Sequence, residues 1–100
     1  MNLKYADEIY NFLATIPYGK VVTYGDIAEH LGNKKLARHV GNVLHANTDG
    51  DKYPCYKVVK CNGILASNYA FGGIKEQKKR LENEGIEVRG YKVDLNKYLY

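Results

Sequence analysis

The sequence is poor in several residue types, and each scarcity removes a class of protein. It has only two cysteines, Cys55 and Cys61. They lie too close together for a convincing disulfide staple and lack the paired Cys-x-x-Cys spacing of zinc sites. Both are expected as free thiols in a reducing compartment. No apolar run approaches the roughly 20 residues that a membrane-spanning helix requires, so no membrane partner is expected. Met1 to Asp7 lacks the apolar core of a signal peptide, which makes the cytoplasm the expected compartment. Repeats, low-complexity tracts and linkers are all missing. The 100 residues therefore fit one domain, residues 1–100, with a real core and a modest stability margin.

What is present fits a globular chain: 45% hydrophobic and 26% charged residues. The net charge of +4 permits an anionic partner without requiring one. Tryptophan is absent but there are ten tyrosines. Their flat faces and hydroxyls suit bases and phosphates, and equally suit a small core.

Tyr5, Ile9, Phe12, Leu13 and Ile16 recur at helical spacing, so Leu3 to Ile16 is expected as an amphipathic helix, broken at Pro17-Tyr18-Gly19. Val21-Val22-Thr23 is a short extended piece. Thr23 can cap a helix from Tyr24 to Leu31, and Gly32 suits its C-terminus. Asn33 can cap a further helix, Lys34 to Ala46, with Leu36, Ala37, Val40, Val43 and Leu44 inside. Two short helices joined by a tight glycine turn make a helix-turn-helix candidate. Lys34, Lys35, Arg38, His39, Asn42 and His45 would then lie outside the apolar stripe of the recognition helix, a donor-rich face of the kind groove contact requires. The same pattern fits an ordinary solvated helix face. Tyr56 to Lys60 alternates toward strand, and Asn62-Gly63 is a hairpin signal before Ile64-Leu65. A charged helix is expected from Ile74 to Asn83, stopped by Gly85, and a second hairpin about Arg89-Gly90. The fold class is mainly α with small β elements, compatible with a winged helix-turn-helix DNA-binding domain.

Cys55 follows Pro54, which restricts the local backbone and can hold a thiol in one place. An ordinary thiol titrates near pH 8.5, so a nucleophilic one needs help, which Lys57 or a helix N-terminus could give. The alternative is a buried, inert thiol, the class to which Cys61 is assigned.

Several segments in order carry a family resemblance. Ile16 to Ala28, with Pro17-Tyr18-Gly19-Lys20-Val21-Val22-Thr23-Tyr24-Gly25-Asp26 at its centre, resembles the opening of the DNA-binding domain of O6-alkylguanine-DNA alkyltransferases. Ala37-Arg38-His39-Val40-Gly41 is similar to that family's recognition-helix motif. Asn47 stands where the family has an asparagine before its active-site loop. Pro54-Cys55-Tyr56-Lys57-Val58-Val59 resembles the reactive Pro-Cys-His-Arg-Val motif, and Glu82-Asn83-Glu84-Gly85 the closing Leu-x-x-Glu-Gly. The similarity runs from about Leu3 to about Ile86.

The resemblance implies roles for these residues. Cys55 would take the alkyl group from guanine O6, with Tyr56 and Glu84 as the relay behind it. Arg38 would enter the base stack as a finger, and Tyr24 would press on the neighbouring phosphate. Thr23, Gly41, Asn42 and His45 would complete the DNA-contacting set. Asn47 would brace the turn between recognition helix and active loop. Pro54, Tyr69 and Ala70 would line the base pocket. The partner would be double-stranded DNA with an alkylated guanine, approached through the minor groove, where sequence readout is poor. The base must leave the stack to be reached, and a planar arginine with five donors suits the vacancy. The transfer would occur once, on a monomer, with no metal and no organic cofactor.

Three departures from the family pattern bear on mechanism. Tyr56 replaces the histidine after the cysteine, and a phenol with a pKa of about 10 is a poor base at neutral pH. Lys57 replaces an arginine, keeping the charge but losing the fork. The sequence shows no counterpart of the family's N-terminal domain, so a short form is expected, and the tail from Lys92 to Tyr98 resembles the alkyltransferase-like proteins. Those bind alkylated DNA and recruit other repair proteins, usually with tryptophan or alanine at the reactive position. Two functions follow as rivals: single-turnover alkyl transfer, or damage sensing without chemistry. A plain winged-helix regulator is a third, though it needs no Pro-Cys motif and usually a dimer to set half-site spacing.

Overall fold

The computed structural model describes residues 5–47, 52–66 and 72–100. Helix α1, Ala6–Thr15, buries Ile9 and Leu13 completely, and its first turn carries Asp7 and Glu8, favourably placed against the helix dipole. It ends before Pro17. Strand β1, Val22–Thr23, leads into α2, Tyr24–His30. Thr23 caps α2 in a reciprocal capping box: Asp26 N–H donates to Thr23 Oγ1, and Thr23 N–H donates to the Asp26 carboxylate, both at 3.0 Å.

The single helix expected from Lys34 to Ala46 is divided. Asn33 accepts from Lys35 N–H at 2.9 Å and starts a 3-10 turn, Lys34–Leu36. This turn runs into α3, Ala37–His45, which buries Val40, Val43 and Leu44. The 3-10 turn absorbs the tight corner after Gly32, whose positive φ of 97° begins it. Helices α2 and α3 pack together as the helix-turn-helix.

The strand expected over Tyr56 to Lys60 is shorter, and its partner differs from the sequence expectation. Cys55–Lys57 is a 3-10 turn, and only Val58–Val59 forms β2, which pairs in parallel with β1 through Val22↔Val58 and Thr23↔Val59. The valines explain the pairing. Val22 and Val58 enter one core with Ile9, Leu13, Ile27, Val40 and Val43. Val21 and Val59 enter a second core with Leu65, Leu81, Ile86, Val93 and Tyr98. This small sheet is buried on both faces, as parallel pairs require, and separates the two cores.

The Asn62-Gly63 turn does form: Gly63 N–H donates to Lys60 C=O at 2.8 Å and Lys60 N–H to Ile64 C=O at 2.9 Å. It does not extend β2 into a hairpin, because Ile64 bridges to Lys92 instead. A Cβ at Gly63 would lie 2.2 Å from the Val93 carbonyl oxygen, so only glycine fits that crossing.

Helix α4, Gly73–Asn83, buries Gln77 and Leu81. Strands β3, Val88–Arg89, and β4, Lys92–Val93, make the second expected hairpin. Its turn sits at Gly90-Tyr91, both at positive φ (55° and 58°), the signature of a two-residue primed turn. A final short helix, α5, Leu95–Tyr98, capped by Asp94, was not foreseen from the sequence. Val21 N–H donates to Tyr98 C=O at 2.9 Å, and Tyr100 N–H to Val21 C=O at 2.8 Å, which ties the last residues to β1. The architecture is mainly helical with small β elements. Among the described residues no helix is long and apolar enough to cross a membrane.

Candidate functional site

Cys55 opens the 3-10 turn that follows Pro54, with 6% of its surface exposed. Its N–H donates to Tyr53 C=O at 2.7 Å, which folds the backbone back on itself just before the turn. Asn47, the second residue beyond α3, is buried and donates from Nδ2 to Tyr53 C=O at 2.9 Å and to Cys55 Sγ at 3.4 Å. One amide thus joins the end of α3 to the thiol. Tyr10 of α1 stacks on Tyr53 with ring centres 5.0 Å apart and donates its hydroxyl to Val43 C=O at 2.8 Å.

Burial pushes the Cys55 thiol above its ordinary pKa. The Asn47 amide, the residue's own backbone N–H and the Arg80 charge pull the other way without overcoming burial. Tyr24 is pushed up to about 12, first by burial and then by its proximity to Cys55.

Behind the turn, Tyr56 donates its hydroxyl to Glu84 Oε2. Glu84 Oε1 accepts from Gly19 N–H at 3.0 Å and from Lys57 Nζ at 2.9 Å. Burial alone would raise the Glu84 pKa, but the bonds from Tyr56, Lys57 and Gly19 outweigh it and hold the carboxyl below its ordinary value. Lys57 also donates to the carbonyls of Ile16 and Pro17, at 3.4 and 3.2 Å. This corrects the sequence expectation that Lys57 serves the thiol: its ammonium is directed to Glu84 and to the end of α1. Among the described residues Arg80 also lowers the Cys55 pKa slightly by its charge, and its guanidinium lies 5.9 Å from the Tyr56 ring centre.

Sequence reasoning missed Arg80 and also Gln77. Gln77 is fully buried and donates from Nε2 to the carbonyls of Tyr56 and Val58, at 3.0 and 3.1 Å. A signal was available. Ile74, Gln77 and Leu81 follow helical spacing, and a polar residue within an apolar stripe marks a buried hydrogen-bonding job.

Residues 4–86 match the family described as 6-O-methylguanine DNA methyltransferase, DNA binding domain. The chain belongs to that family. It is 34% identical over 98 residues to alkyltransferase-like protein 1 of Schizosaccharomyces pombe, covering 93% of this chain and 91% of that protein. It is 44% identical over 92 residues to a bifunctional methyltransferase/endonuclease of Picrophilus torridus, covering 92% of this chain but only 30% of that longer protein. The crystal structure of S. pombe Atl1 with damaged DNA containing O6-carboxymethylguanine superposes with a TM-score of 0.89 at 32% identity, over 100% of this chain and 98% of that one. Methylated-DNA–protein-cysteine methyltransferases are also among the relatives.

Within this alkyltransferase-family domain, the residues singled out from sequence occupy two neighbouring regions. Arg38, Asn42 and His45 are exposed and follow one another at helical spacing along α3. Tyr24 is half-buried at the start of α2, and a Cβ built at Gly41 would meet its ring at 3.8 Å, an ordinary contact. Thr23 is buried by its capping bonds. Pro54, Cys55 and Asn47 form the second region, with Tyr56 and Glu84 behind. Tyr69 and Ala70, expected in the base pocket, lie outside the described residues. Clefts of about 600 and 530 Å3, one beside the β3–β4 hairpin and one at the helix-turn-helix corner, do not include Cys55 in their lining. Among the described residues no three His, Cys, Asp or Glu side chains are grouped to hold a metal ion.

Proposed function

We propose that this chain binds alkylated guanine in duplex DNA with the damaged nucleotide turned out of the stack, and that Cys55 takes the alkyl group in a single turnover. The observation that carries this reading is the Asn47–Cys55 bond. A buried thiol fixed by an N–H donor that also anchors the end of α3 is a thiol held for chemistry, whereas an inert packing thiol needs no donor. Arg38 fills the vacated stack, Tyr24 bears on the adjacent phosphate, and Gly41, Asn42 and His45 contribute the remaining contacts, while Thr23, expected among them, is buried as the cap of α2. Pro54, Tyr69 and Ala70 frame the extruded base. In the transfer, the sulfur–carbon bond forms as the carbon–O6 bond breaks. The electron pair of the broken bond passes to the guanine, which takes up a proton at N1 to restore the C6 carbonyl, and the thiol proton leaves to solvent. The neighbour solved with damaged DNA containing O6-carboxymethylguanine supports the binding part of this reading, and the relatives named methylated-DNA–protein-cysteine methyltransferases support the transfer part.

A second reading has its own observation. The Tyr56 hydroxyl is committed to Glu84, and burial raises the Cys55 pKa. With no imidazole to take the thiol proton, the same chain would serve as a damage sensor that flips the base and passes it to other repair proteins. Intact mass after incubation with a duplex containing O6-methylguanine separates the two. A gain of about 14 Da, mapped to Cys55, is expected for the covalent step. An unchanged mass on DNA that is demonstrably bound overturns alkyl transfer and leaves sensing.

A further inference from the structure

Helix α4 covers the back of the reactive turn, and it brings three polar side chains to a single residue. Gln77 donates to the Tyr56 carbonyl, Arg80 lies over the Tyr56 ring, and Glu84, just past the helix end, holds the Tyr56 hydroxyl. Residues 77, 80 and 84 share one helical line. Glu84 and Lys57 neutralise each other at 2.9 Å, so that pair adds little net field at the thiol.

We propose that Arg80 is a positioning residue for Cys55: its guanidinium, set against the Tyr56 ring, stabilises the thiolate in a site whose sequence supplies no imidazole. The proposal rests on the reading of Cys55 as alkyl acceptor. The packing of α4 against the Cys55–Lys57 turn gives the geometry, and a planar guanidinium is suited to lie on an aromatic face while keeping its charge. The other groups facing the thiol are of a different kind. Tyr10 from α1 and Tyr24 from α2 are phenols whose pKa values are raised, Tyr53 is a further phenol, and Asn47 is a neutral donor. Lys52 is exposed and lies over the Tyr53 ring at 5.3 Å. Lys57 faces Glu84. Burial opposes ionisation of Cys55, and among the described residues the Arg80 charge, carried by α4 against the Tyr56 ring, acts in the opposite sense.

Iodoacetamide tests this without DNA. It forms a sulfur–carbon bond, releases iodide, and reports the thiolate, and Cys61, which is exposed and not buried as the sequence suggested, serves as the internal reference. Peptide mapping across a pH series should show that Arg80→Gln slows Cys55 modification near neutral pH by about three- to tenfold and moves its midpoint upward. Arg80→Lys should recover most of the rate, and Cys61 should not change. Equal rates in wild type and Arg80→Gln, or equal losses in Arg80→Gln and Arg80→Lys, overturn the proposal. Should Arg80→Gln fail to fold, the unmodified chain decides. Added salt screens a half-exposed cation and should slow Cys55 relative to Cys61, and an unchanged ratio overturns the proposal. The two readings fail separately. Absence of methyl transfer from damaged DNA with an intact Arg80 effect removes the enzyme reading alone, and transfer that proceeds equally with Arg80→Gln at every pH removes the Arg80 role alone.

Discussion

The Tyr56 hydroxyl donates to one carboxylate oxygen of Glu84 while Lys57 and the Gly19 amide hold the other. Two consecutive residues of the Cys55–Lys57 turn are therefore tied to the same carboxylate, which stands just beyond α4. Lys57 continues the connection to the end of α1 through the carbonyls of Ile16 and Pro17. This polar network locks the turn from behind. It also directs the phenolic proton away from any role at the thiol, so Tyr56 reads as a strut where a histidine would have been a base.

Removing one partner of this pair should be costly. Both side chains are nearly buried, at 6% and 10% exposure. Lys57→Met leaves an uncompensated carboxylate and should destabilise the domain by about 3 kcal/mol. Lys57→Met combined with Glu84→Leu should cost less than the sum of the two single changes. Urea unfolding of the four proteins measures this, and simple additivity contradicts the coupling.

The network also sets the acid limb of stability. The folded Glu84 carboxyl titrates below its ordinary value of 4.5. Its contribution is fully present above that value and is lost as pH falls through the lower, folded value. Glu84→Gln should therefore flatten the stability curve below about pH 4.5 while lowering the plateau above it. Thermal melts from neutral to strongly acidic pH check this, and parallel curves for wild type and Glu84→Gln would contradict it.

Local signals were legible and long-range ones were not. The Thr23 and Asn33 caps, the stop at Pro17 and the second hairpin follow from nearest-neighbour chemistry, and the structure has all of them. The pairing of β1 with β2 is parallel and joins valines far apart in the chain, so no turn residue announces it. The four valines carried the information only in their alternation between two cores. Helix α5 has four residues, too few to show a period. At the site, the motifs located Cys55, Asn47 and Glu84, but the direction taken by the Lys57 ammonium depends on where α1 ends. The part of α4 in the site was hidden because Gln77 and Arg80 belong to no motif and act through the Tyr56 carbonyl and ring.

Gly41 offers a substitution whose effects on fold and binding separate. An added methyl meets the Tyr24 ring at 3.8 Å, which the fold tolerates. Alanine is also the better helix former by up to about 1 kcal/mol. Gly41→Ala should therefore melt no lower than wild type, yet bind alkylated duplex more weakly if α3 lies close against the DNA. Arg38→Ala should weaken binding further, and Tyr24→Phe less. Fluorescence anisotropy over a salt series measures all three, and affinity should fall steeply with salt. Wild-type binding by Arg38→Ala would contradict the docking of α3.

The rate of transfer should carry the signature of a thiol without a neighbouring base. Burial raises the Cys55 pKa, so the neutral thiol dominates near pH 7 and the thiolate fraction grows as pH rises. Because only the thiolate attacks, methyl transfer to Cys55 should be slow at neutral pH and should accelerate with pH up to the thiol midpoint. Asn47→Leu removes the amide that supports the thiolate and should push that midpoint higher, with a loss of about 1 kcal/mol in stability, because the Tyr53 carbonyl keeps its bond from Cys55 N–H. Tyr56→His supplies a group that accepts protons near neutral pH. It should raise the neutral rate while leaving the high-pH rate nearly unchanged, which distinguishes a gained base from altered packing. Cys55→Ser should abolish transfer and keep binding. Time courses followed by tryptic mapping give the profile. A flat pH–rate curve for wild type would mean that the proton leaves by a route other than solvent, and a methyl group on Cys61 would mean that the exposed thiol, not the one held by Asn47, is the acceptor.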